Sequence, residues 1–268
     1  MTKENENILL EIKNVSVTLE KSDKTTTSIL DNINLSINKN QRLALIGQSG
    51  SGKTITSRAI LGLLPENMKI SSGEFSLNNR IISHDDDSAL ENLRGKTVAM
   101  IFQEPHAALN PVFQVGTQLT DVIKVNLKLK RKVAKSRALN VLTQVGFSNP
   151  DEIYKMYPGQ LSGGMAQRVL IAMALSCQPE LIIADEPTSA LDAITQSKIL
   201  KLIFDLQEKF QFAFMIISHD IPLIKKYVDD VYIMKDGKII YTGAIKNLPH
   251  PNPDSYIQSL FETLPDVL

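Results

Sequence analysis

An α/β fold built on a buried parallel sheet is what this sequence predicts, and three observations predict it. Short apolar runs of strand length recur as RLALI (42–46), LIIAD (181–185) and FAFMIIS (212–218). Strands that lack polar alternation are those covered on both faces, as in parallel sheets. Segments with helical spacing separate them, and alternation of strand and helix is the mark of the α/β class. An antiparallel N-terminal part and a strand-free stretch after Gln103 read as additions to that core.

The elements follow in order. ILLEIKNVSVTL and ILDNINLSI carry β-branched residues and alternate, so they read as strands, with KSDKTTTS as the polar loop between them. RLALI ends directly at a glycine loop, and TITSRAILGLL beyond it has helical spacing. ISSGEFSLNNRII reads as a hairpin turning at Asn78-Asn79, followed by the exposed loop HDDDSA. TVAMIFQ (97–103) is a strand that stops at Gln103, and TQLTDVIKVNLKLKRKVAKSRALNVLTQVGF beyond it is helical. VYIMKDGKIIYTG is a hairpin turning at Asp236-Gly237.

Composition narrows the function classes. The chain has 268 residues, enough for one large domain or two small ones. With 29 basic and 29 acidic residues its formal charge is zero, so no global attraction to nucleic acid is expected. Cys177 is the one cysteine, which rules out an intrachain disulfide and suggests a reducing compartment. MTKENENILL lacks the apolar core of a signal peptide, and no run reaches the roughly 18 apolar residues of a membrane span. A soluble chain is expected, with any membrane role supplied through a partner.

The chemistry sits in a few short strings. GQSGSGKT (47–54) fits G-x-x-x-x-G-K-[ST] between a predicted strand and a predicted helix, the context this phosphate cradle requires. Amides of Gly47, Ser49, Gly50, Ser51 and Gly52 can wrap phosphate oxygens, Lys53 adds a point charge, and the Thr54 hydroxyl can hold Mg²⁺. In LIIADEP two carboxylates appear where a buried strand surfaces. Asp185 is suited to the Mg²⁺ shell and Glu186 to the proton of an attacking water. His219 ends another buried strand, and ligands of open α/β sheets bind beyond such carboxyl ends. A lone histidine is also commonly structural. Gln103 ends a strand as well, which by itself is a weak signal. LSGGMAQR (161–168) sets Ser162, Gly163 and Gly164 ahead of a helix, a second grip for an anion.

Other strings have plainer readings. Residues 122–150 hold seven Lys or Arg and no acid, either a lipid or RNA patch or, more simply, a solvated helix face. Asp85, Asp86 and Asp87 read as a polar turn rather than a cation site, and Cys177 as a small buried residue.

Taken together, the motifs resemble the nucleotide-binding subunit of an ABC transporter over nearly the whole chain. GQSGSGKT matches its P-loop, Gln103 its Q-loop, LSGGM its signature, IIADE its Walker B strand, SALD (189–192) its D-loop and His219 its switch histidine. The resemblance implies a P-loop NTPase (RecA-like) core with an antiparallel β subdomain and an inserted helical subdomain. Residues 1–268 would then form one ATPase domain, with the core and β subdomain at 8–103 and 163–268 and the helical subdomain at 104–162. ATP and Mg²⁺ are the implied ligands, with Thr54, Gln103 and Asp185 on the metal. Glu186, His219 and Gln103 are the implied catalytic set. Two such subunits face each other head to tail in this family. Ser162 and Gly164 would serve the partner's ATP, which explains two phosphate cradles in one chain, and Gly163 and Asp192 of the D-loop are further implied nucleotide contacts.

FQEPHAALNPVFQVGTQL and YPGQLSGGMAQRVLIAMAL narrow the resemblance to the oligopeptide, dipeptide and nickel importer subfamily, and HPNPDSYIQSLFETLP is similar to its C-terminal segment. That implies a second ATPase subunit, a different one in preference to a second copy of this chain, two membrane permeases, an external solute-binding protein and a place on the cytoplasmic face of the membrane. Peptide is the first cargo expected and nickel or a metal chelate the second. Three positions depart from the pattern. Leu19 stands where an aromatic in the loop after the first strand stacks on adenine, Gly159 replaces the histidine before the signature, and the C-terminal cysteine cluster is absent. Soluble relatives acting on DNA carry a long coiled coil and those acting on ribosomes carry two ATPase modules, and neither feature occurs here. An inactive regulatory subunit fits poorly with an intact Glu186, His219 and LSGGM.

Overall fold

The computed structural model describes residues 7–248 and 255–262. Its elements run β1 (Ile8–Glu20), β2 (Thr26–Asn38), β3 (Arg42–Ile46), α1 (Lys53–Ile60), β4 (Met68–Leu77), β5 (Arg80–Ile82), α2 (Asp87–Leu93) and β6 (Val98–Ile101). Helices follow as α3 (Pro105–Ala108), α4 (Val115–Leu127), α5 (Arg131–Gln144), α6 (Pro150–Lys155) and α7 (Gly163–Leu175). The remainder is β7 (Leu181–Asp185), α8 (Ala193–Phe210), β8 (Ala213–Ile217), α9 (Ile221–Lys225), β9 (Asp230–Lys235), β10 (Lys238–Ala244) and α10 (Ser255–Glu262). No helix among the described residues is long and apolar enough to cross a membrane. Mixed sheets with covering helices are the α/β architecture that the sequence predicts.

The chain falls into two compact units, Met1–Leu90 with Ala213–Leu268, and Glu91–Phe212. In the first, an antiparallel sheet has the order β2-β1-β4-β5. Asn78 and Asn79 both have positive φ, 49° and 61°, and so close the β4–β5 hairpin with the primed turn that matches strand twist. Asp236 and Gly237, at 47° and 75°, do the same for β9–β10. β3 pairs in parallel with β8 and with β9, and β10 runs antiparallel to β9. Every residue of β8 and all of β3 but Arg42 are buried, which is why these strands read as continuous apolar runs. The core of this unit gathers Leu10, Ile12, Leu30, Ile33, Leu45 and Phe214.

In the second unit β6 pairs in parallel with β7, whose five residues are all buried. The stretch after Gln103 is helical, with α4 ending at Lys128 in a left-handed cap, φ 52°. Tyr154 of α6 lays its ring over Gly116 of α4, where a side chain would clash, and its hydroxyl meets buried Thr120 Oγ1 at 2.9 Å. α7 is apolar nearly all round and correspondingly buried. Six cations of the 122–150 run, Lys124, Lys128, Lys130, Arg131, Lys132 and Lys135, are exposed, so the solvated-face reading holds. Arg137 turns inward and donates through Nε to Ser176 O at 2.6 Å.

Two local expectations are corrected. Leu19 is not in the loop after the first strand but in the strand itself, as the string ILLEIKNVSVTL has it, paired with Thr27 on one side and Met68 on the other. HDDDSA is not wholly a loop either, because Asp86 accepts hydrogen bonds from the amides of Ser88 and Ala89 and so starts α2 at Asp87. The string HPNPDSYIQSLFETLP lies partly outside the described residues, with α10 inside them.

Candidate functional site

The glycine loop belongs to the first unit and grows out of β3. α1 starts at Lys53, and its cap residue Gly52 has φ 107°, a conformation that costs other residues energy. Gly47 has φ 154°, and a Cβ there would strike the Met234 carbonyl oxygen, so this backbone is laid directly on the end of β9. Ser49 and Gly50 are exposed at the loop's crest, and Thr54 is half-buried on the first turn of α1.

Lys53 is buried, at 6% exposure. Its ammonium donates to Gly47 O and Gln48 O, each at 2.8 Å, and reaches Ser51 Oγ at 3.4 Å. The lysine thus closes the loop on itself. One further partner was not foreseen. Tyr256 of α10 accepts a hydrogen bond from Gln48 N at 2.9 Å and donates its own hydroxyl proton to Met234 O at 3.0 Å. Nothing local in the sequence signals this, since the two residues are 208 positions apart. In the same unit His219 is exposed after the buried strand β8, and the next residue, Asp220, caps α9 by accepting from Leu223 N.

The second unit carries the carboxylates. β7 ends at Asp185, which is 6% exposed, and Glu186 follows with φ 45°. Two donors hold the turn that Glu186 begins, with Ser189 N and Ser189 Oγ on its carbonyl at 3.2 and 3.1 Å. Gln103 lies two residues past the end of β6, and its Nε2 donates to Glu186 Oε2 at 3.3 Å. The amide and the carboxylate singled out from the sequence are therefore in contact.

Ser162, Gly163 and Gly164 start α7, and the serine hydroxyl caps it by accepting from Met165 N at 3.3 Å. These residues line a surface cavity of about 500 Å³ together with Arg168, Asp192 and Lys198. Two cations against the one carboxylate of Asp192, together with the positive end of a helix, make this an anion-receptive surface. Asp192 caps α8, and the amide and side chain of Thr195 hold its carboxyl below the usual range. Gly159 stands in open space before the signature, and Leu19 is half-buried in its strand. Burial raises the Cys177 thiol, which suits the packing role expected of it. Among the described residues no cluster of His, Cys, Asp or Glu could hold a metal by itself.

A family profile described as ABC transporter matches residues 30–189. The chain is 38% identical over 258 residues to the oligopeptide transport ATP-binding protein AppD of Bacillus subtilis, covering 96% of this chain and 78% of that one. It is 38% identical over 237 residues to the dipeptide transport ATP-binding protein DppD of Escherichia coli, covering 88% and 72%. Among solved structures, an ATP-binding cassette captured as a dimer in a post-hydrolysis state with ADP and Pi superposes with a TM-score of 0.77. That pair is 28% identical, over 88% of this chain and 99% of the other.

Proposed function

We propose that this chain, which belongs to the ABC transporter family and is one of its ATPases, uses ATP hydrolysis to drive import of oligopeptides or dipeptides. The observation that carries the chemistry is the contact of Gln103 with Glu186 at the mouth of a buried strand. The similarity to peptide-transport ATP-binding proteins along nearly the full chain supports the cargo.

ATP binding belongs to the family, and the loop 47–54 is built for phosphate. The Lys53 ammonium rests on two loop carbonyls and exchanges them for phosphate oxygens. Glu186 takes the proton of the attacking water onto a carboxylate oxygen, and the Gln103 amide, donating to Oε2, fixes where that carboxylate points. His219 completes the set as the switch histidine. Thr54, Gln103 and Asp185 would hold Mg²⁺, and a hydroxyl, a carboxamide and a carboxylate suit that hard cation. Bound, the ion neutralises charge on the phosphates.

Ser162 and Gly164 are assigned to the nucleotide of a second ATPase subunit, a different chain in preference to a second copy of this one, with Gly163 and Asp192 as further nucleotide contacts. The cations lining their cavity support this assignment. Two permeases and a solute-binding protein complete the importer, with this subunit peripheral on the cytoplasmic face. Its core and β subdomain would comprise 8–103 and 163–268, and its helical subdomain 104–162. No nucleic-acid partner is expected.

The test is uptake in the source organism. The gene is deleted and restored as wild type or Glu186→Gln, and labelled oligopeptide and labelled nickel are followed in parallel. Peptide uptake should fall and return with wild type alone, while the purified variant keeps ATP binding and loses turnover by at least a hundredfold. Loss of nickel uptake with peptide untouched would overturn the cargo. Normal turnover by Glu186→Gln would overturn the role of Glu186.

A further inference from the structure

We infer that Tyr256 is a positioning residue for nucleotide binding, through which the C-terminal helix α10 holds the phosphate loop in its binding-competent form. The inference rests on the reading of residues 47–54 as that loop.

Gln48 is held at both ends of its backbone. Its carbonyl accepts from Lys53 Nζ at 2.8 Å, and its amide donates to Tyr256 Oη at 2.9 Å. These two holds do not last equally through binding. When phosphate draws the lysine away, the Gln48 carbonyl keeps only the Ser51 amide, at 3.2 Å. The Tyr256 hydroxyl is then the side chain that keeps this first turn of the loop in place.

The tyrosine is itself well fixed. It is 9% exposed, its hydroxyl donates to Met234 O at 3.0 Å, and Lys235 Nζ sits 4.8 Å from its ring centre. Met234 O is also the atom against which Gly47 is pressed, too closely for any Cβ. One peptide of β9 therefore floors the loop from below, and one hydroxyl ties that floor to the loop's second residue. A phenol suits this place because it accepts and donates through one atom. α10 lies outside the stretch matched by the family profile, 30–189.

Apparent affinity scales with the fraction of free protein already in the competent conformation. Losing one hydrogen bond that selects that conformation is worth about a fivefold change. The full-length chain is therefore compared as wild type and Tyr256→Phe, which deletes only the hydroxyl. ATP Kd is measured on the isolated chain, KM and kcat on turnover, and Tm without nucleotide. Tyr256→Phe should raise Kd and KM about fivefold and leave kcat within twofold, because bound ATP orders the loop by itself. An unchanged Kd in a folded variant overturns the inference, as does a fall in kcat alone. If wild type binds no ATP, the phosphate-loop reading falls too, so the two failures are distinguishable. Backbone hydrogen exchange on wild type provides a check that needs no variant: the Gln48 amide should be protected without nucleotide, and exchange at the rate of a free loop overturns the inference.

Discussion

Glu186 has a φ of 45°, in the left-handed region that a residue with a Cβ enters at a cost. Two hydrogen bonds from Ser189 to its carbonyl keep it there. Backbone strain of this kind concentrates at functional sites. Activity and stability should therefore separate at this position. Glu186→Gly relieves the strain and gives part of the gain back through a more flexible unfolded chain, for a net stabilisation of about 0.5–1 kcal/mol. For a chain of this length that is a rise of about 1–3 °C in Tm, with turnover abolished. Glu186→Gln keeps the strained backbone, so its Tm should stay within about a degree of wild type. Calorimetry on both variants checks the pair, and a drop in Tm for the glycine variant would mean that the turn is not strained.

At the scale of elements, His84 ties the end of α1 to the antiparallel sheet. Its Nε2 donates to Ala59 O at 2.8 Å, and its ring rests on Phe75 with centres 4.4 Å apart. Burial disfavours the charged imidazole and holds its pKa below the ordinary 6.5. The unfolded chain then takes up this proton more readily than the folded one. The stability His84 contributes is complete above about pH 6.5 and is lost as pH falls through the lowered value. Urea midpoints measured from pH 7.5 down to 5 should fall more steeply for wild type than for His84→Gln, which keeps a donor and cannot titrate. Parallel slopes would mean that another group carries the loss.

Elements were legible where local rules decide them. β3, β7 and β8 fall on the apolar runs to within a residue or two, because full burial on both faces removes polar alternation. The Asn78-Asn79 and Asp236-Gly237 turns were legible because few residues accept positive φ twice in succession. Leu19 closes the strand string ILLEIKNVSVTL; that β1 runs on to Glu20 was not legible, because whether a strand continues depends on partners away in sequence, here Thr26. Tyr256 left no trace for the same reason. A hydroxyl that binds a distant backbone amide imposes no spacing on its own neighbourhood.

For the whole molecule, the two phosphate grips fall in different units, residues 47–54 in one and Ser162–Gly164 in the other. Each motif was legible as a string, yet nothing local in LSGGM says whose phosphate it serves, since a capped helix start binds an anion from any source. The in-trans assignment therefore makes its own prediction. In the assembled two-ATPase complex, Ser162→Arg fills the cavity mouth and should lower hydrolysis at least tenfold. ATP affinity of the isolated chain should stay within twofold, as read by equilibrium titration. Loss of binding in the isolated chain would show that Ser162 serves the chain's own nucleotide.

Lys53, docked on the carbonyls of Gly47 and Gln48, is a tethered rival to every phosphate that enters. The ammonium is never bare, so binding is a swap of partners rather than the filling of an electrostatic void. The measured affinity reports the difference between two well-made contacts. Removing this side chain changes both sides of the swap at once: the phosphate loses its cation, and the empty loop loses its clasp. A Lys53→Ala protein is thus an altered starting state as well as a poor binder, and its deficit will misstate what the lysine contributes to holding nucleotide.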